Sequence, residues 1–364
     1  MDRRDTEYMQ RALRLAERGL YTTDPNPRVG CVIVRDGTII GEGWHRRAGE
    51  PHAEILALRE AGELAQGASV YVTLEPCSHH GKTPPCADAL LDAGVARVIA
   101  ASRDPNPEVG GSGFERLKKG GVDVHIGLLE QTANAINPGF IKRMESGRPY
   151  VRLKLAMSLD GRTAMASGES RWITGEAARA DVQRLRARSS VIMTGIDTVL
   201  HDDPSLNVRM TAQQLGIDGE VRQPHRVVLD SQLRFPSGAR MLSLEGKTTV
   251  LTTRDDSSEL PCEVVVLDEA DGRLDLHSVI AWLAGQQANE VHVEAGASLC
   301  GALLEQQLVD EIVVYIAPHI MGSDARGLFS IAGLERMADR IELDISDVRQ
   351  IGSDLRITAV PVAE

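Results

Sequence analysis

Two short stretches of this 364-residue chain carry side chains suited to chemistry. Pro51-His52-Ala53-Glu54 sets an imidazole two residues before a carboxylate, and Glu75-Pro76-Cys77, one apolar run later, is followed by a further thiol at Cys86. Imidazole and thiolates suit Zn²⁺, and three protein ligands leave the fourth tetrahedral position open, whereas structural sites normally close all four. His52, Cys77 and Cys86 are the candidate zinc ligands, and an open position implies a site that activates water.

The same letters, H-x-E and then P-C, form the arrangement of zinc deaminases, in which the Glu shuttles protons and does not bind metal; Glu54 takes that role here. The elements that must hold these groups are legible. Pro51 suits a first helical turn, so residues 52–61 read as a helix stopped at Gly62, and Pro85 opens another from Cys86 through Asp92 to Gly94. Both ligand sets then sit at helix N-termini, where the partial positive charge favours thiolate. On a regular helix residues i and i+2 point to nearly opposite sides, so His52 and Glu54 share a centre only if the first turn is irregular or a water lies between them. Cys31, Cys262 and Cys300 lie in apolar runs and are assigned to packing. His79 and His80, between the two metal cysteines, either complete a closed structural site or hydrogen-bond a substrate.

The chain exceeds an ordinary single domain in length, and two domains are expected. Hydrophobic residues make up 42% of it, and without a low-complexity tract the whole chain should fold. Its start leads into an amphipathic segment through Tyr8, Ala12, Leu15 and Ala16 and not into an apolar signal region; no run approaches membrane-spanning length, which points to the cytoplasm. Five cysteines, two given to metal, fit a reducing compartment. A net charge of −12 opposes binding to nucleic acid. The expected partner is a small molecule, with no nucleic acid and no membrane; the oligomeric state stays open, a homo-oligomer included.

Along the chain, a helix to Gly19 precedes a hairpin of residues 29–35 and 38–44 across Asp36-Gly37. The His52 helix, a strand over 69–74, the Cys86 helix, a strand over 95–102, a helix near 114–119 and a strand over 122–126 complete a three-layer α/β pattern. The polar stretch Glu145-Ser146-Gly147-Arg148-Pro149 has linker composition, so the domains are read as residues 1–146 and 147–364. The second half alternates again, with strands near 150–156, 191–195, 226–230, 248–252, 264–267, 291–294, 312–317 and 355–360. At Val291-His292-Val293-Glu294-Ala295-Gly296 a strand feeds a Gly turn and a helix over 299–307, whose first N–H groups suit phosphate, although such turns are common without a ligand. There is no G-x-G-x-x-G here and hence no Rossmann fingerprint. Arg184, Arg186 and Arg188 share a helix, where a solvated face would carry such charges anyway.

Eight residues, Ser78-His79-His80-Gly81-Lys82-Thr83-Pro84-Pro85, separate the two metal cysteines where the common deaminase pattern has two. With Pro25-Asn26-Pro27-Arg28-Val29-Gly30, that spacing resembles the deaminase half of the bifunctional riboflavin-biosynthesis deaminase/reductases. Lys154-Leu155-Ala156-Met157-Ser158-Leu159-Asp160-Gly161-Arg162, Ser170-Arg171-Trp172-Ile173-Thr174 and the run from Thr194 to Arg209 resemble the reductase half, whose fold is similar to dihydrofolate reductase. The resemblance implies a cytidine-deaminase-like domain with Zn²⁺, joined to an α/β domain that uses NADPH, both acting on a phosphoribosylaminopyrimidine. It implies that Asn26 contacts the pyrimidine and that Lys82 and Thr83 lie near it. It further implies that Ala156, Trp172, Thr198, Asp202 and the Gly296 turn line the NADPH site, while Ser170, Arg186, Leu206, Arg209 and Glu294 face the substrate. Guanidinium groups suit the substrate's phosphate. The alternative is a single-activity nucleoside or nucleobase deaminase with an accessory nucleotide-binding domain, for which the short cysteine spacing would be expected.

Overall fold

The computed structural model describes residues 2–78, 85–107, 110–255 and 260–362, so His79, His80, Lys82 and Thr83 lie outside the described residues. The chain forms two compact units, Met1–Gly147 with Gly216–Gly219, and Arg148–Leu215 with Glu220–Glu364.

In the first unit α1 (Arg3–Glu17) starts at a reciprocal cap: Asp2 accepts from the Asp5 N–H and Asp5 accepts from the Asp2 N–H. β1 (Gly30–Arg35) and β2 (Thr38–Trp44) form the expected hairpin, with Asp36 and Gly37 both at positive φ. Then come α2 (Ala53–Ala61), β3 (Ser69–Leu74), α3 (Cys86–Asp92), β4 (Arg97–Ser102), α4 (Ser112–Lys119), β5 (Asp123–Ile126), α5 (Glu130–Ile136) and α6 (Pro138–Ser146). The sheet runs β2-β1-β3-β4-β5, with β1 antiparallel to both neighbours and β3, β4 and β5 parallel. Both faces are covered. Cys31 and Ile33 of β1 meet Ala53, Ala57, Leu90 and Phe114 on one side, while Val32 and Val34 meet Met9, Leu13 and Ala133 on the other. That is why β1 reads as a continuous apolar run without alternation. Two glycines of β2 let α2 lie directly on the strand: a Cβ at Gly41 would stand 2.3 Å from Ala57 O, and one at Gly43 2.2 Å from Ala53 O.

The second unit contains β6 (Tyr150–Ser158), β7 (Arg162–Ala164), α7 (Glu176–Arg188), β8 (Val191–Gly195), α8 (Ile196–Asp202), α9 (Ala212–Leu215), β9 (His225–Leu229), β10 (Thr248–Thr252) and β11 (Glu263–Val266). There follow β12 (Glu269–Ala270), β13 (Arg273–Leu274), α10 (Leu276–Gly285), β14 (Glu290–Val293), α11 (Ala297–Glu305), β15 (Glu311–Ala317), β16 (Arg326–Gly327), β17 (Leu343–Ile351) and β18 (Asp354–Pro361). Nine strands make one sheet in the order β11-β10-β9-β8-β14-β6-β15-β18-β17, parallel through β15 and then antiparallel. β7 with β16, and β12 with β13, form small ribbons. Val151, Leu153 and Leu155 of β6 pack against Val279, Leu283, Cys300 and Leu303 of α10 and α11. α7 covers Val313 and Tyr315 through Ala178, Val182 and Leu185.

Two departures from the sequence reading bear on the site and the sheet edge. α6 extends through Glu145 and Ser146, so only Gly147, Arg148 and Pro149 separate it from β6; Gly147 ends the helix with φ 66°. β17 went unseen because a bulge between Ile345 and Asp347 breaks its period-2 alternation.

Arg152 of β6, 1% exposed, sits between two carboxylates: its Nη1 is 2.9 Å from Glu290 Oε2 and its Nε 2.5 Å from Glu311 Oε1. Arg188 Nε adds a contact at 2.9 Å to the same Glu290 oxygen. Arg152→Met leaves both acids facing an apolar chain and should cost about 3–5 kcal/mol in denaturant unfolding of the full protein; a change within about 0.5 kcal/mol would show the cluster to be dispensable.

Candidate active sites

His52 is not inside α2 but is its N-cap, with extended backbone at φ −70° and ψ 165°; the helix begins at Ala53. Its imidazole therefore leaves from extended chain while Glu54 leaves from the first turn, and the objection that i and i+2 diverge on a regular helix does not apply. Cys77 lies just beyond β3 and Cys86 opens α3. The Cys86 N–H donates to Cys77 Sγ at 3.3 Å, and the Ala87 N–H donates to Cys77 O at 3.1 Å, fixing one thiol against the other. His52 Nδ1 is 3.3 Å from Cys86 Sγ and 3.6 Å from Cys77 Sγ, and the three donor atoms all lie within 4.8 Å of one another. Tetrahedral bonds of about 2.0–2.3 Å to one zinc ion would place such donors roughly 3.5–3.8 Å apart. The set fits that ion.

Electrostatics separate the roles. Cys77 is held down at about 4 by the hydrogen bond from the Cys86 thiol and by His52, while Cys86, which keeps the proton, is pushed far up. Glu54 is 3% exposed, and burial lifts its carboxyl to about 7 against the pull of His52. An acid poised near neutrality can accept and return a proton.

A pocket of ≈ 260 Å³ opens over this cluster, with Asn26, His45, Glu54, Asp104, Asn106 and Phe140 in its wall. Asn26 reaches it because the Asn137 amide brackets the next turn, accepting from the Arg28 N–H at 2.8 Å and donating to Arg28 O at 2.9 Å. Asn26 Nδ2 lies 3.1 Å from His45 Nε2, and His45 Nδ1 lies 3.3 Å from Pro51 O. An amide nitrogen can only donate, so the ring carries its proton on Nδ1 and gives it to Pro51 O. Sequence reasoning missed His45, Asp104, Asn106 and Phe140. Each is a lone polar or aromatic residue in a loop or an unforeseen helix, without spacing to mark it.

In the second unit the parallel strands β8, β14 and β6 are neighbours, and the chain leaves β6 in one direction and returns to β14 between them. Ligands of open α/β sheets bind beyond the carboxyl ends of strands at such a reversal. Ala156 near the end of β6, Thr198 and Asp202 in α8 after β8, and Glu294 and Gly296 after β14 all come from this end. Gly296 caps α11 without a side-chain bond, and a Cβ there would meet open space, so the first N–H groups of α11 stand ready for phosphate. Trp172 is 70% exposed under the Arg179 guanidinium at 4.7 Å, and Arg171 ties its loop to Asp202 at 3.4 Å. Ser170 is half-buried beside it.

Arg186 is 8% exposed, which overturns the reading of a solvated helix face. Its Nε and Nη2 grip both oxygens of Glu294 at 2.5 and 2.9 Å, and its Nη1 donates to Asn207 O at 3.0 Å. Glu294, so paired, is held well below the usual carboxylate range despite burial. Arg209 is exposed; partial burial, then the Arg186 cation, lower its pKa while Glu294 opposes, so the three groups share one region. Leu206 has φ 42° and is 2% exposed, its side chain packed with Ile196 and Val199, so its backbone is the part that faces outward. Lys154 was overlooked as a site residue. It lies on the Arg152 face of β6, near Glu294 and Arg186, and burial lowers its pKa.

Residues 2–102 match the cytidine and deoxycytidylate deaminase zinc-binding region, and residues 149–357 match the RibD C-terminal domain. The chain is 54% identical over 358 residues to the riboflavin biosynthesis protein RibD of Escherichia coli K12, covering 96% of this chain and 98% of that one. Among solved structures it resembles Acinetobacter baumannii RibD, with TM-score 0.91, 47% identity and 99% of each chain covered. It also resembles a diaminohydroxyphosphoribosylaminopyrimidine deaminase/5-amino-6-(5-phosphoribosylamino)uracil reductase from Thermotoga maritima, with TM-score 0.88, 33% identity and 99% of each chain covered.

His52, Cys77 and Cys86 form the three-donor cluster, and Glu54 lies beside it outside the set. His52→Ala and Cys77→Ser should each strip zinc from the purified protein, measured by elemental analysis. Glu54→Ala should retain it at wild-type stoichiometry, and a zinc-free Glu54→Ala protein would make Glu54 a ligand.

Proposed function

The chain belongs to the RibD family, and from that premise we propose which of its residues carry each of the family's two reactions. The protein is a bifunctional deaminase and reductase of riboflavin biosynthesis that uses zinc and NADPH. Residues 1–146 carry deamination and 147–364 reduction, on a phosphoribosylaminopyrimidine and then on its uracil product. The cytoplasm is the compartment this reading assigns. Among the described residues, no helix is long and apolar enough to cross a membrane.

One observation supports the deaminase assignment above all: a buried acid beside a three-donor cluster at the floor of a pocket. His52, Cys77 and Cys86 would hold zinc, whose Lewis acidity would lower the pKa of water there toward about 7. Glu54 accepts a proton on its carboxylate and returns it to the departing ammonia. Asn26 holds the pyrimidine, and because its amide nitrogen is committed to His45, its Oδ1 is left to accept from the ring.

In the second unit NADPH supplies hydride, and the protein's share is binding, orientation and exclusion of water. Ala156, Trp172, Thr198, Asp202 and the Gly296 turn hold the cofactor. Ser170, Arg186, Arg209, Glu294 and the backbone of Leu206 hold the substrate. Arg186 spends its donors on Glu294 and Asn207, so it orients the carboxylate, and Arg209 is the cation for the phosphate.

Incubating the protein with the phosphoribosylaminopyrimidine, with and without NADPH, and identifying products by mass tests the reading. Ammonia without NADPH, and a ribityl product only with it, is expected; release of ammonia with no reduction would leave the single-activity deaminase. Glu54→Ala should abolish ammonia release. Arg209→Ala should raise the KM of reduction by the equivalent of about 1.5–3 kcal/mol and leave deamination intact, with lysine restoring part. An unchanged KM would remove Arg209 from the site.

A further inference from the structure

Glu75 lies two residues before Cys77, is 4% exposed, and has no part in the roles assigned so far. Its carboxylate accepts four backbone N–H bonds: Oε2 from Asp104 at 3.2 Å and Gly111 at 2.9 Å, Oε1 from Gly113 at 2.9 Å and Phe114 at 3.2 Å. Each oxygen thereby uses both lone pairs. A carboxylate can do this and an amide cannot, because the amide nitrogen only donates.

Two further bonds close a ring. Asp104 Oδ1 accepts from the Asn106 N–H at 2.9 Å, and Asn106 O accepts from the Gly110 N–H at 2.7 Å. The backbone is packed to match: a Cβ at Gly113 would stand 2.0 Å from Pro76 O, and one at Gly110 2.7 Å from Asp104 O. Asp104 and Asn106 are polar members of the wall of the pocket that Asn26 also lines. One acid thus binds the chain that delivers a metal-ligating thiol to the turn that carries that wall.

We propose that Glu75 is a positioning residue for deamination, holding Asn106 and Asp104 in register with Cys77 so that the pocket wall and the metal-binding floor face one substrate. The inference rests on the assignment of this pocket as the deaminase site. Its charge matters, because N–H bonds to an ionised acceptor are roughly twice as strong as neutral ones.

The test uses the full-length protein and its variants Glu75→Gln, Asn106→Ala and the double variant, with zinc content and the rate of reduction as internal controls. Glu75→Gln should retain zinc and reduction and raise the deamination KM about tenfold, with kcat changed much less. The double variant should be no worse than the poorer single one, because Glu75 acts through Asn106. If Glu75→Gln does not fold, Gly110→Ala, whose new Cβ would stand 2.7 Å from Asp104 O, should show the same rise in KM with zinc retained. An unchanged KM, additive effects, or zinc loss as the cause of lost activity would overturn the proposal. A wild-type protein that releases no ammonia would instead sink the functional reading, and this inference with it.

Discussion

The deaminase centre depends on how closely a helix can approach a sheet. α2 carries Glu54 and is capped by His52, and its backbone rests on β2 only because Gly41 and Gly43 have no side chain there and Ala53, Ala57 and Ala61 face the strands. On the opposite face Gly30 does the same for α1, where a Cβ would come within 2.0 Å of Ala12 O. Thinning the layers in this way leaves the Glu54 carboxyl with little solvent and a raised pKa, and places His52 within reach of two thiols that arrive from β3 and α3.

Buried carboxyls serve in two ways. Burial lifts Glu54 toward neutrality, where it can exchange a proton. Others are saturated: Glu75 by four backbone N–H groups, Glu294 by Arg186, and Glu290 and Glu311 by Arg152 and Arg188. A paired carboxylate keeps its charge across the ordinary pH range and serves orientation, not proton transfer. Burial leaves Glu54 able to exchange a proton, whereas pairing with Arg186 keeps Glu294 ionised.

Much of this was legible in the sequence. The hairpin across Asp36-Gly37, the strands of residues 69–74, 191–195 and 248–252, and the cluster of His52, Cys77 and Cys86 follow from turn chemistry, apolar runs and ligand type, all of which act over a few residues. What stayed hidden depends on partners distant in sequence. The burial of Arg186 is decided by Glu294, 108 residues away. The wall of the pocket comes from loops whose course is set by Glu75, and from α6, whose polar end reads as a linker. Leu206 looks like a ligand contact by resemblance, yet a left-handed backbone turns its side chain into the core.

The bulge in β17 has a physical consequence for the protein as a colloid. β17 is the last strand of the nine-stranded sheet, and Leu343, Ile345 and Val348 are each at least 44% exposed along it. A straight strand of that composition would present an unbroken row of amides to any other extended chain, the template on which ordered aggregates grow. The extra residue at Ser346, whose hydroxyl is turned inward to Thr358 O, interrupts that row, and Asp344, Asp347 and Arg349 set charges along it. The irregularity that hid the strand from sequence reading also breaks the edge of the sheet, so the row of amides along β17 is interrupted at Ser346.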